Sequence, residues 1–139
     1  MPARDLYHNL VVKALVLDGW TITDDPLTIS YGGRDLFIDL GAEDRTIAAE
    51  KQGRKIAVEI KSFLSTSILR DLEDAVGQYE IYGTVLAEVQ PDRILYLAVP
   101  QRAFESIFSE RFGQLILERR QLRLIVFEEQ VGRIIQWQP

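Results

Sequence analysis

"IAAEKQGRKIAVEIKSF", residues 47–63, is the stretch on which the fold turns. Two apolar runs flank Gly53, the pattern of a β-hairpin, and in the second run Ile56, Val58 and Ile60 alternate with Ala57, Glu59 and Lys61. Successive side chains of a strand point to opposite faces, so Glu59 and Lys61 share one face while Ile60 packs into the other. A carboxylate and an ammonium two residues apart suit either a solvated strand or a site that handles phosphate with a divalent cation. The segments on either side separate the two readings.

Downstream, the spacing of Ile68, Leu72, Val76, Tyr79 and Leu86 predicts a helix over roughly 66–87, stopped before Pro91. "RILYLAV", 93–99, then reads as a continuous apolar strand ended by Pro100, the mark of a strand covered on both faces. Strand, helix and buried strand in that order make a crossover between parallel neighbours. Upstream, residues 5–18 carry Leu6, Leu10, Ala14 and Leu17 at helical spacing, with Asp5 in the first turn and Gly19 as the stop. Between Trp20 and Ser62 lie the extended segments "WTIT", "LTISY", "DLFIDL", "TIAAEK" and "KIAVEIKS", broken at Asp25-Pro26, Gly32-Gly33, Gly41 and Gln52-Gly53. A third helix near 101–111 and a terminal hairpin of "LRLIVFE" with "RIIQW" complete the chain. The expectation is one α/β domain over 1–139, a mixed central β-sheet flanked by helices.

Composition narrows the chemistry. There is no cysteine and one histidine among 139 residues, which excludes thiolate metal sites, most zinc chemistry and any triad needing a second imidazole. No apolar run approaches the ~20 residues of a membrane span and the N-terminus lacks a signal-peptide pattern, so a cytoplasmic protein without membrane contact is expected. The net charge of −5, from 16 basic and 21 acidic side chains, argues against a free-standing nucleic-acid binder with a basic footprint. It suits a nuclease whose carboxylates hold metal, or a subunit whose partner makes most of the nucleic-acid contact. The basic cluster Arg119-Arg120 with Arg123 could meet phosphate, but a solvated helix or strand face is the more ordinary reading.

Metal-assisted phosphodiester cleavage needs hard oxygen ligands for Mg²⁺ and a group that orients water. Glu59 therefore needs a second acid from a neighbouring strand: Asp39, Glu43, Asp44 or Glu50. A two-residue turn at Gln52-Gly53 pairs Lys51 with Arg54, Thr46 with Glu59 and Asp44 with Lys61, and brings Asp44 and Glu50 to the face of Glu59. A three-residue turn or a bulge brings Glu43 there instead. The apolar pattern favours the first register. Asp39 lies on "DLFIDL", sharing a face with Phe37 opposite Leu36, Ile38 and Leu40. Spacing alone leaves the second acid open.

An acid on one strand, then "VEIK" at 58–61, then a helix bearing Gln78 and Tyr82 at i and i+4 in "GQYEIY", resembles the PD-(D/E)xK nuclease superfamily. The Q-x-x-x-Y pair resembles the extra motif of its RecB-like and exonuclease branches. His8 resembles the first-helix residue those branches place near the metal. Nearly the whole chain, about 1–138, is similar to the XisH-type excision controlling factors of cyanobacteria, through "RDLYHNLVVKAL", "DGWTITDDPL", "IDLGAE", "IAAEK", "IAVEIKSF", "AVGQYEIY", "DRILYLAVP" and the terminal "QW".

The resemblance implies a restriction-endonuclease-like PD-(D/E)xK core. It also implies a role in developmentally programmed excision of a DNA element, the fdxN element type, that interrupts a nitrogen-fixation gene. There the family acts beside a large site-specific recombinase and a small companion factor, XisI. Glu59 and Lys61 match the ExK pair, Gln78 and Tyr82 the helical motif, and His8 the first-helix position. Asp39 or Glu43 matches the preceding acid, in that order of preference and against the register argument for Asp44. The sequence departs from the superfamily in having Ile38 before Asp39. The implied catalytic set is Asp39, Glu59, Lys61, Gln78, Tyr82 and His8, with Mg²⁺ (Mn²⁺ as substitute) on Asp39, Glu43 and Glu59.

Three functions fit: a Mg²⁺-dependent deoxyribonuclease acting on DNA, a non-catalytic accessory subunit working through protein contacts, and an orphan DNA restriction nuclease. A homodimer, formed through the apolar terminal hairpin and exposed strand edges, completes the expectation. Taken singly, Glu-x-Lys on a strand, a histidine on an amphipathic helix and a Gln–Tyr pair one turn apart all have ordinary structural readings. Their order along the chain is what points to a site.

Overall fold

A computed structural model describes residues 3–44 and 53–138. In chain order they form helix α1 (Ala3–Leu17), strands β1 (Trp20–Asp24), β2 (Leu27–Tyr31), β3 (Arg34–Ile38), β4 (Leu40–Asp44) and β5 (Lys55–Ile60), and helix α2 (Ile68–Val89). Strand β6 (Arg93–Pro100) follows, then α3 (Gln101–Glu105), a 3₁₀ turn (Ile107–Ser109), α4 (Arg111–Arg119) and strands β7 (Leu124–Glu128) and β8 (Arg133–Gln138). The expected α/β architecture is what the chain adopts: a mixed six-stranded sheet in the order β1-β4-β5-β6-β7-β8, flanked by helices, with a two-stranded β2-β3 ribbon beside it. The β5–α2–β6 crossover joins parallel strands as expected, and β7 adds a further parallel pairing.

Alternation along the central strands builds two cores. Ile56 and Val58 of β5, Ala98 of β6, and Ile125 and Phe127 of β7 pack with Tyr7, Val11 and Leu15 of α1. Ala57, Leu95, Leu97, Val99, Leu124 and Val126 face the other way, against Leu72, Ala75, Tyr79 and Leu86 of α2 and the 3₁₀ turn's Phe108. Strand β6 is thus covered on both faces, as its unbroken apolar run requires. Glu59 has the parity of Ala57 and so enters the α2 side. Helix α2 begins where Ser67 caps it, its side chain accepting from the Arg70 N–H, two residues beyond the expected start.

Three expectations change. "DLFIDL" is two strands rather than one: β3 belongs to the ribbon and β4 to the main sheet, and Asp39 stands at the bend between them. The hairpin register differs as well. Glu43 pairs with Lys55, and the Asp44 N–H donates to the Arg54 carbonyl, so Asp44 does not lie opposite Lys61 as the expected register has it. The expected Lys51–Arg54 pairing lies outside the described residues. The expected strand "TIAAEK", with Thr46 and Glu50, lies outside the described residues. Finally, the third helix expected near 101–111 is two pieces, α3 and the 3₁₀ turn, because the chain breaks at Ser106 and reverses closely enough that a Cβ on Gly113 would overlap the Ile107 carbonyl oxygen. Helix α4, built on that contact, is absent from the sequence reading. No helix among the described residues is long and apolar enough to cross a membrane.

Candidate active site

The bend at Asp39 decides the site. In the β4–β5 register Leu40 lies opposite Val58, so Asp39 comes level with Glu59 one position beyond the ladder. The two residues are tied reciprocally: the Asp39 N–H donates to Glu59 Oε1 at 3.2 Å, and the Ile60 N–H donates to Asp39 Oδ2 at 2.8 Å. Each carboxylate therefore spends one oxygen on the backbone and keeps the other for a further partner. Lys61 Nζ lies 3.9 Å from Glu59 Oε2, as the shared face of a strand allows.

Helix α2 closes the opposite wall. Gln78 and Tyr82, one turn apart, join Asp39, Glu59, Lys61 and Phe37 around a cavity of about 400 Å³. The Gln78 side-chain oxygen is buried without a hydrogen-bond partner. A buried amide oxygen costs free energy in that state, so it is placed for a group that enters the cavity. His8 reaches the neighbourhood from α1, lining a smaller hollow with Tyr7, Asp39, Ile60 and Ser62, and pairs with Asp25 at 2.9 Å.

The structure thus brings together Asp39, Glu59, Lys61, Gln78 and Tyr82, with His8 behind Asp39. It does not bring Glu43 or Asp44. Glu43 is level with Lys55, at the far end of β5 from Glu59, and lies 3.8 Å from that lysine. Asp44 has the parity of Ala42 and Leu40, on the α1 face, and sits 3.6 Å from Arg54. The carboxylate that faces Glu59 is that of Asp39, because the bend between the two sheets, and not a hairpin partner, stands opposite it.

The electrostatics follow from burial. Glu59 is 6% exposed, the one charged residue buried as a whole among the described residues. Burial and the adjacent Asp39 carboxylate push its pKa up to about 8, against a smaller opposite pull from Lys61. Although Lys61 lies within ion-pair distance, one ammonium does not balance two neighbouring carboxylates, so Glu59 holds its proton more tightly than an ordinary carboxyl until a further cation arrives. Burial and the charges of Glu59 and Asp39 also raise the Tyr82 phenol, keeping it a neutral donor.

Four features of this site escape sequence reading to different degrees. Asp74 and Asp71 line the cavity from α2; Asp74 is one turn before Gln78 and could have been found from that spacing. Phe37, read from the sequence only as sharing a face with Asp39, lines the cavity beside it. Arg102 could not have been found: from α3 it donates to the carbonyls of Ser62 (2.7 Å) and Phe63 (2.8 Å), clamping the chain just after Lys61, across a separation invisible to any local pattern. Tyr7 and Glu129 hold the guanidinium in turn.

Comparison with known proteins places the chain. None of the curated proteins compared matches it. Solved crystal structures do, two of which follow. An fdxN element excision controlling factor protein from Anabaena variabilis is 42% identical, with a TM-score of 0.88 over 98% of this chain and 100% of that one. An XisH family protein from Nostoc punctiforme is 38% identical, with a TM-score of 0.89 over 97% of this chain and 100% of that one. The XisH protein family matches residues 1–135, and the chain belongs to the XisH family.

Proposed function

We propose that this protein is an excision controlling factor that assists programmed site-specific excision of a DNA element, and that its acid pocket is a nuclease-like Mg²⁺ site on a PD-(D/E)xK core. The observation that carries the reading is the convergence of Asp39, Glu59, Lys61, Gln78 and Tyr82 on one cavity from three elements. The donor set fits the cation: each carboxylate gives one oxygen to a backbone N–H and keeps the other as a hard ligand, Glu59 Oε2 facing Lys61 at 3.9 Å, and no soft donor competes. Asp39 and Glu59 would hold Mg²⁺, with Ile60 lending its backbone carbonyl. Bound there, the ion supplies charge neutralisation at phosphate and acidifies water.

The chain's own groups do the rest. Lys61 orients the attacking water and takes up charge beside Glu59. Gln78 accepts a hydrogen bond from that water or from the ammonium through its orphaned oxygen, and Tyr82 donates to a phosphate oxygen. His8 supports Asp39 from behind. The family relationship supports DNA, a XisI-like companion and a site-specific recombinase as partners, in a cytoplasmic setting.

The test is cleavage of single-stranded, nicked and branched DNA by purified protein with Mg²⁺ or Mn²⁺. Removal of a metal-holding acid by Glu59→Ala is expected to lower the rate at least about 100-fold. Uncut substrates, or equal cutting by Glu59→Ala, would leave the accessory reading, which the net acidic charge supports. That second reading expects complex formation with the companion factor to survive both Glu59→Ala and Lys61→Ala.

A further inference from the structure

Helix α2 has two working faces. Asp74, Gln78 and Tyr82 recur every fourth residue toward the acid pocket. Leu69, Glu73 and Val76 lie on the opposite side at 100° per residue, with Gly77 at its edge; α4 runs beside them, and the two helices bound an open groove of about 840 Å³. This groove is apolar and unfilled. Leu69 is 46% exposed, Phe112 52% and Leu115 50%, three large hydrophobic side chains together on one surface. Scattered exposed leucines are ordinary; a contiguous set lining one groove marks a contact surface.

Gly77 adds an independent observation. It sits inside a 22-residue helix, where glycine costs about 1 kcal/mol relative to alanine. A Cβ on Gly77 would meet nothing within 4 Å, so the chain's own packing does not demand glycine there. Gly113 is the contrast, since its missing Cβ is explained by the Ile107 carbonyl. What Gly77 permits is close approach by something outside the chain.

The charges identify the visitor. The α2 wall carries Glu73, whereas the α4 wall carries Arg119 and Arg120. A two-fold axis along the groove lays α2 of one copy over α4 of the other, so acid meets base twice around an apolar centre. That is the self-complementarity an isologous contact requires. We propose that the α2/α4 groove is the surface through which two copies of this chain associate, with their acid pockets facing away from the contact. The dimer contact is thereby assigned to this groove rather than to the terminal hairpin, and it does not depend on whether the pocket binds metal.

Sedimentation equilibrium tests this on the full chain. The wild type is expected to dimerise at micromolar concentration. Phe112→Glu should weaken association at least about 30-fold, as for a central anchor. Glu73→Arg alone, and Arg119→Glu with Arg120→Glu, should each dissociate the dimer, and an equimolar mixture of the two should recover a heterodimer. All four positions are exposed, and unchanged circular dichroism would certify folding. A wild type monomeric at hundreds of micromolar overturns the proposal, even if the groove then captures another protein. So does a dimer indifferent to Phe112→Glu, or charge-swapped variants that fail to recombine.

Discussion

At the scale of single residues the chemistry concentrates in Glu59, whose surroundings oppose its charge. Its pKa in the fold is about 8 against an ordinary 4.5, with burial the largest cause and Asp39 the next. The folded state therefore binds a proton more tightly than the unfolded chain. Stability from this residue is fully present below about pH 4.5 and is lost as pH climbs toward about 8. Glu59→Gln keeps the acceptor for the Asp39 N–H and removes the ionisation. In urea titrations without divalent cation, the variant should match the wild type near pH 4.5. It should exceed the wild type by roughly 2–4 kcal/mol at pH 8.5. Mg²⁺ should stabilise the wild type at pH 8.5 and leave Glu59→Gln little changed. A wild type and variant with parallel pH profiles would show that the proton on Glu59 is not linked to folding.

At the scale of elements, the site depends on the turn that follows β5. Phe63 takes a left-handed backbone conformation, φ 53°, in a residue that seldom adopts one. Arg102 holds it there by donating to two consecutive carbonyls. Arg102→Lys keeps the charge but loses the planar fork, and should cost about 1–3 kcal/mol through the carbonyls left short of a donor. Hydrogen exchange should rise at the amides of Lys61–Leu64 while those of α2 stay protected; uniform change across the chain would show that the clamp is not local. The same elements show what was legible in the sequence. Periodicity located α2, β5 and β6 because each buries a continuous stripe or both faces, and burial is what periodicity records. It located α1 but misplaced its buried face, since Leu6 and Leu17 are exposed and Tyr7, Val11 and Leu15 pack inward with Ala14. Glu59, Lys61, Gln78 and Tyr82 could be assigned to faces for the same reason. The partner of Glu59 could not be found by register, because Asp39 stands at a bend where one apolar run divides between two sheets. Nor could α4, whose start depends on Gly113 meeting the Ile107 carbonyl.

At the scale of the whole molecule, the two edge strands of the sheet meet. Trp20 of β1 and Trp137 of β8 have ring centroids 5.5 Å apart, with Tyr96 of β6 edge-on to Trp137 at 5.1 Å. Six strands laid flat would hold their edges about 24 Å apart at the usual spacing of about 4.8 Å. The sheet is therefore strongly curled, and α1, which packs on both β1 and β8, fills the concave side. Curling of this kind makes the first and last strands one structural unit despite their separation in sequence. Trp20→Ala and Trp137→Ala should each destabilise the fold, and the double variant should lose less than the sum, by a coupling of about 0.5–1.5 kcal/mol. Truncating Leu15, wholly buried between the two edges, should cost about 2–5 kcal/mol, in a single transition reported equally by tryptophan fluorescence and helical circular dichroism. Strictly additive tryptophan variants would mean that the edges do not touch, and separated transitions would mean that α1 does not join them.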